Sequence, residues 1–372
     1  MIYMRGQASD YDQWAALGNS GWSWDEVLPI FKASEDYQHG ADAFHGEGGE
    51  LRVEERRVNW EILDAWQNAA EEIGIPRIKE FNRGNNFGCA YFQMNQRKGV
   101  RWSASKGFLR PVLHRQNLTV MTESHVHRVN LDHTQGGLAA DGVWVSHGTD
   151  APRQIKARKE VVLAAGAVAS PQILQLSGIG APELAQQLEI EQKHDLPGVG
   201  QNLQDHLQIR TVYKVKNTKT LNPKVNSLVG KAAMGLEYLL FKTGPLTMPP
   251  SQLGAFAMSD DFQSSPNIEW HVQPLSLDQF GSPLHSFDAI TPSVCNLRPA
   301  SRGSIQAQSK DPSAAPLIRP NYLSCPQDEA VAVAGLRYTR RIMQAKALAP
   351  FNPEEWKPGP KIQSDAELLD AA

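Results

Sequence analysis

With 372 residues, 41% of them hydrophobic and 21% charged, and a net charge of −3, the chain can hold one large domain or two of ordinary size. Its basic residues are dispersed, which excludes a nucleic-acid stripe and any global pull toward acidic membranes. No apolar run reaches the roughly 18 residues of a spanning helix, and the stretch from Met1 to Trp14 lacks the plan of a signal peptide. The three cysteines, Cys89, Cys295 and Cys325, are too scattered for a disulfide framework or a metal site. The expectation is a cytoplasmic chain with no transmembrane segment and no nucleic-acid partner.

In chain order, Ser23 and Glu26 form a capping box that starts a helix through Val27, Leu28, Ile30 and Phe31. His45-Gly46-Glu47-Gly48-Gly49 reads as a turn into a short strand. No Lys-Ser/Thr follows it, so it is not a phosphate loop. Residues 59–74 place Trp60, Leu63, Trp66, Ala70 and Ile73 at helical spacing. A strand is predicted over 117–122, and Val126 and Val129 lie near another at 142–145. His125 and His127 share a strand face without a third ligand of compatible spacing, which argues against a metal.

The stretch 159–180 organises the rest. Val161, Val162, Leu163, Ala164 and Ala165 read as a doubly buried parallel strand. Gly166 lets the backbone turn, and Ser170-Pro171 predicts an N-cap followed by proline at the first helical position. A strand, a small-residue turn and a helix N-terminus form one half of a βαβ crossover, the edge where dinucleotides and flavins lie in open α/β sheets. Further on, 226–241 is helical with Leu228, Val229, Ala232, Leu236, Leu239 and Leu240 on its apolar side. Strands follow at 268–272 and 290–297, then a long amphipathic helix over 328–343.

The order Gly166-Ala167-x-x-Ser170-Pro171-x-Ile173-Leu174-x-x-Ser177-Gly178-Ile179-Gly180 resembles the second signature of the glucose–methanol–choline (GMC) oxidoreductases, a family of FAD enzymes. Leu196-Pro197-Gly198-Val199-Gly200-x-Asn202-Leu203-x-Asp205-His206 is similar to the segment that follows it there. Met1-Ile2-Tyr3-Met4-Arg5-Gly6, the His45 turn, and Gly99, Arg101, Ser103, Phe108, Leu109 and Pro111 match further family elements in family order. Residues 297–305 look like the family's substrate-sheet hairpin.

The resemblance implies an α/β (α+β overall) fold: an incomplete Rossmann-like FAD-binding half and a substrate-binding half with an antiparallel sheet flanked by helices. It assigns 1–45 and 96–206 to the flavin half and 46–95 and 207–372 to the substrate region. Within the latter, 297–372 begins the family's C-terminal domain. It implies FAD as cofactor, approached by Met1, Ile2, Val126 (through its backbone, at the adenine), Ala165 and Gly166, and a small-molecule alcohol as substrate, oxidised at its CH–OH group. Two family elements have no counterpart: no G-x-G-x-x-G occurs, and no His-Pro-x-Gly motif supplies the catalytic histidine. The chain is therefore expected to be an internal piece, inactive alone, with no catalytic residue assigned. His206, His271 and His285 stay unassigned.

Trp270, His271, Leu275, Phe280, Phe287 and the Met248-Pro249-Pro250 loop are candidates to line an alcohol pocket, or equally to be sheet core. No set of aromatic and acidic residues for a quaternary ammonium cage stands out. The electron acceptor and the oligomeric state stay open, as does an alternative reading as a non-catalytic binding protein derived from the substrate domain.

Overall fold

Runs of buried β-formers at Leu253–Ala257, Ile268–Gln273 and Ala289–Asn296 build the central element, a seven-stranded antiparallel sheet. Its order is Glu354–Lys357, Val212–Lys214, Ala289–Asn296, Ile268–Gln273, Leu253–Ala257, Gly88–Tyr91, with Gln208–Arg210 also pairing the Ala289–Asn296 strand. The computed structural model describes residues 1–372 except Gln135 and Phe280. Two compact units emerge: Met1–Arg115 with His206–Arg298 and Glu329–Ala372, and Gln116–Asp205 with Pro299–Asp328.

In the first unit the Glu61–Glu72 and Pro326–Met343 helices cover one face of the sheet. Trp66, Trp270 and Tyr338 meet there, with ring centroids 6.4 and 5.3 Å apart, and the Trp270 indole N–H donates to Thr339 Oγ1 at 2.7 Å. The amphipathic helix read at 59–74 thus forms, with Trp60 as its N-cap and Leu63, Trp66 and Ala70 buried. The Ser23–Glu26 capping box starts the Trp24–Ser34 helix as expected. The opposite sheet face carries a cluster of Phe81, Phe92, Met94, Met248 and Phe256.

The second unit is built on an antiparallel hairpin, Ser124–Thr134 with Gly137–His147, and Arg153–Lys156 forms its third strand. The Gly166–Leu176 helix packs beside it, and Ser177 Oγ accepts the Val129 N–H at 2.8 Å. Gln175 ties this helix to the Ser304–Gln306 strand, donating to Ile305 O at 3.0 Å and accepting from Ala307 N at 2.8 Å.

Four expectations need correction. Residues 161–165 are not a buried strand. They run irregularly, Val162 is 75% exposed, and no strand pairs with them among the described residues. A parallel strand owes its order to neighbours on both edges, and apolar content alone does not supply them. Residues 117–122 are likewise irregular and mostly exposed. The helix begins at Gly166, five residues earlier than predicted. Ala165 is its N-cap and Pro171 lies inside, while Ser170 Oγ accepts the Ala165 N–H from within the helix at 3.2 Å. The 297–305 segment does not join the large sheet: Ser304–Gln306 pairs with Leu317–Arg319 in the second unit.

Candidate functional site

Strand alternation sorts the first unit's candidates. Trp270 points into the helix-covered face and is fully buried, so it is core. His271 points the other way, stacked on Phe92 with centroids 5.2 Å apart and with Nε2 at 3.0 Å from Glu269 Oε1. Ser293 faces His271 across the ladder, and Gln252 lies on the same side. Ser293 Oγ and Gln252 Oε1 are buried without a hydrogen-bond partner among the described residues. Such atoms cost about 1–3 kcal/mol each unless something bonds them, so a ligand hydroxyl or amine on this face would relieve the cost.

Ile2 comes to the same face. Ile2 pairs with Met94 and packs against the Phe92–Phe256 cluster, and Met1 O accepts the Asn95 N–H at 2.7 Å. Met248 belongs to that cluster. Leu275 is buried, its carbonyl accepting from Thr291 Oγ1 at 2.7 Å. Phe287 instead joins His285, Trp356 and Lys214 in an aromatic and cation–π group. Phe280 lies outside the described residues.

In the second unit a cavity of about 570 Å³ gathers Val126, Val143, Ile155, Val161, Leu163 and Ala165, and His125 and His127 also line it. Val126 and Ala165 therefore line one cavity. Gly166 follows them in the chain with φ +82°, and nothing stands within 4 Å of where its Cβ would be. Apolar walls beside the outer strand of a sheet fit a flat heteroaromatic ring such as adenine. No G-x-G-x-x-G cradle for a pyrophosphate is present in the sequence. The residues thus fit the adenine end of FAD and not its phosphates. His127 donates to or accepts from Ser146 Oγ at 2.9 Å, and burial, then the charge of His125, hold its pKa below the usual value. Among the described residues, no group of three His, Cys, Asp or Glu side chains is placed to hold a metal ion.

Sequence reasoning missed a buried polar network at the His45 turn. His45 is fully buried between Glu35, 3.1 Å from Nδ1, and Glu80, 3.3 Å from Nε2, and it stacks on Tyr37 at 4.0 Å. Arg5 pairs with Glu35 at 3.0 Å, and Arg83 pairs with Glu80. Burial alone would depress the His45 pKa, but hydrogen bonds and the charges of Glu35 and Glu80 outweigh it and raise it to about 9. For Glu80, burial pushes the pKa up, and His45 and Arg83 more than offset this to hold it at about 2. Arg5, Glu35, His45 and Glu80 are buried and Arg83 reaches the surface at one side, and the network braces the turn. Neither glutamate could be assigned to the turn from the sequence, since Glu35 and Glu80 lie 10 and 35 positions from His45.

The three unassigned histidines all have local partners. His206 Nε2 lies 3.2 Å from Leu297 O. His285 sits between Ser276 Oγ at 2.9 Å and Asp278 Oδ1 at 3.2 Å, a Ser–His–Asp chain in outline. Ser276 is fully buried and also accepts from Asn222 Nδ2 at 3.0 Å, so this chain clips a loop and offers no nucleophile.

The profiles of the family described as GMC oxidoreductase match residues 1–208 and 299–372. The chain belongs to that family, whose members bind FAD. It is 37% identical over 374 residues to an oxygen-dependent choline dehydrogenase of Stenotrophomonas maltophilia, across 99% of this chain and 65% of the relative. It is 34% identical to an "Alcohol dehydrogenase [acceptor]" of Pseudomonas putida, across 99% of this chain and 66% of that one. Its fold is similar to that of pyridoxine 4-oxidase from Mesorbium loti, with a TM-score of 0.85 and 29% identity over 100% of this chain and 68% of the other. The chain thus spans about 65% of the length of the first of these relatives. Among the described residues, no helix is long and apolar enough to cross a membrane.

Proposed function

We propose that this chain carries the substrate face and the adenine-side wall of an FAD-dependent enzyme that oxidises an alcohol CH–OH group to the carbonyl. In this reading 1–45 and 96–206 serve the flavin side and 46–95 and 207–372 the substrate side, with 297–372 opening the family's C-terminal domain. Met1 and Ile2 approach the flavin, and Val126, Ala165 and Gly166 the adenine half. Bound FAD would supply the hydride acceptor. The observation that carries the proposal is the sheet face where Ile2, Phe92 and Met248 form an apolar floor interrupted by His271, Ser293 Oγ and Gln252 Oε1.

On that face the apolar floor excludes water, and Ser293 and Gln252 bond and orient the alcohol hydroxyl. His271, tied to Glu269, forms the polar end of this face. The hydroxyl proton must be taken by a base, a task suited to histidine, and no histidine of this chain matches the family's catalytic motif. The relatives' names point to alcohols, choline among them. The test is alcohol-dependent bleaching of flavin absorbance in the whole protein, using choline and a series of aliphatic and aromatic primary alcohols. A flavin-loaded protein that no alcohol reduces would overturn the proposal. The purified 372-residue chain is expected to turn over none of them, and turnover by it would overturn the division of labour stated above.

A further inference from the structure

The Leu228–Phe241 helix is amphipathic the wrong way round. Ser227 caps it, its Oγ accepting the Gly230 N–H at 3.3 Å, and Met234 is its one buried side chain. At about 100° per residue, Leu228, Leu239, Leu236, Val229 and Leu240 fall within an arc of about 120° on the opposite side. Those five side chains are 84%, 69%, 57%, 79% and 63% exposed, and Phe241 at the end is 68% exposed. Single exposed leucines are ordinary, but a continuous stripe along a whole helix marks an interaction surface.

The charge along the segment that carries the stripe is equally one-sided. Between 214 and 242 the chain has six lysines and one acidic residue, Glu237, within a protein of net charge −3. Lys216, Lys219, Lys224 and Lys231 are exposed, and Lys242 follows the last helical residue. The Glu237 carboxylate accepts from Thr243 Oγ1 at 3.1 Å. The overall charge balance that excludes a global pull toward acidic surfaces conceals this local excess.

We propose that this helix is an interfacial element that lays its leucine stripe on an anionic lipid surface, with the flanking lysines at the headgroups. An exposed apolar helix face with lysines on and beside the helix, here Lys224, Lys231 and Lys242, is the signature of helices that lie in the membrane plane. A second copy is disfavoured, because a self-complementary contact would set the lysine-rich flanks against each other. The inference is independent of the catalytic reading.

The test is sedimentation of the 372-residue chain with extruded vesicles of phosphatidylcholine, alone or mixed about equally with phosphatidylglycerol. The chain is expected to pellet with the anionic vesicles, and at least about tenfold more weakly with phosphatidylcholine alone or in high salt. Replacing both Leu239→Glu and Leu240→Glu should lower anionic binding by about tenfold or more, with circular dichroism and melting unchanged because both side chains are exposed. Phe262→Glu, which alters a 96% exposed side chain outside the helix, should bind as the parent does. A folded parent that ignores anionic vesicles, or a double variant that still binds, would overturn the proposal. Dimerisation by light scattering that the double variant abolishes, without vesicle binding, would assign the face to a second copy instead. Binding by the 372-residue chain but not by the whole protein would assign the stripe to another part of the same polypeptide.

Discussion

Replacing His45 by alanine tests whether its buried imidazolium holds the turn together. The ring lies within 3.1 Å of Glu35 and 3.3 Å of Glu80, and Tyr37 stacks on it. Its folded pKa of about 9 exceeds the unfolded value of 6.5. That difference corresponds to about 3 kcal/mol, fully present below pH 6.5 and lost as pH rises through 9. The size agrees with the roughly 3–5 kcal/mol cost of removing one partner from a buried ion pair. In urea unfolding followed by tryptophan fluorescence, His45→Ala should be less stable than the parent by about 3–5 kcal/mol at pH 6. The gap should narrow by about 3 kcal/mol toward pH 10 as the parent loses its charge. Glu80, held at about 2, acts at the other end, stabilising above its ordinary carboxylate range and ceasing to do so as pH falls through 2. A gap below about 1 kcal/mol at pH 6, or one that does not change with pH, would refute the charged assignment.

Three further outcomes are expected. In Gly200→Val a Cβ would meet Ile305 O at 2.1 Å with φ +79°. The substitution should cost about 3 kcal/mol or more, and a melting temperature equal to the parent's would count against the packing described. Gly166→Val meets open space, so it should cost the 372-residue chain only about 1–2 kcal/mol of backbone strain. In the whole protein it should abolish FAD retention, and normal flavin stoichiometry would refute the turn's role. Ser293→Ala removes a buried hydroxyl that has no hydrogen-bond partner among the described residues, so the chain should be unchanged or up to about 1 kcal/mol more stable. Under the proposed function the same change should lower kcat/KM of the whole protein for an alcohol by about fivefold or more, and unaltered kinetics would remove Ser293 from the substrate face.

Local signals were readable wherever one short segment settled its own conformation. The Ser23–Glu26 capping box, the Trp-rich face of the Glu61–Glu72 helix, and the Ile268–Gln273 and Ala289–Asn296 strands all form where spacing and capping place them. Residue order along 166–206 also carried the family, because motif order survives where individual contacts do not. Three things were decided only in three dimensions. Residues 161–165 have the composition of a parallel strand but find no strand partner among the described residues, and pairing is a property of neighbours. The helical period of 228–241 is real, yet period gives the existence of an apolar side and not whether the core or the outside receives it. The ion network of His45, like the separation of Trp270 from His271 onto opposite sheet faces, depends on which distant segments close around each residue. Glu35 and Glu80 become one site with His45 only because the chain folds back on itself, and burial there turns three ordinary charges into a strong, pH-dependent brace.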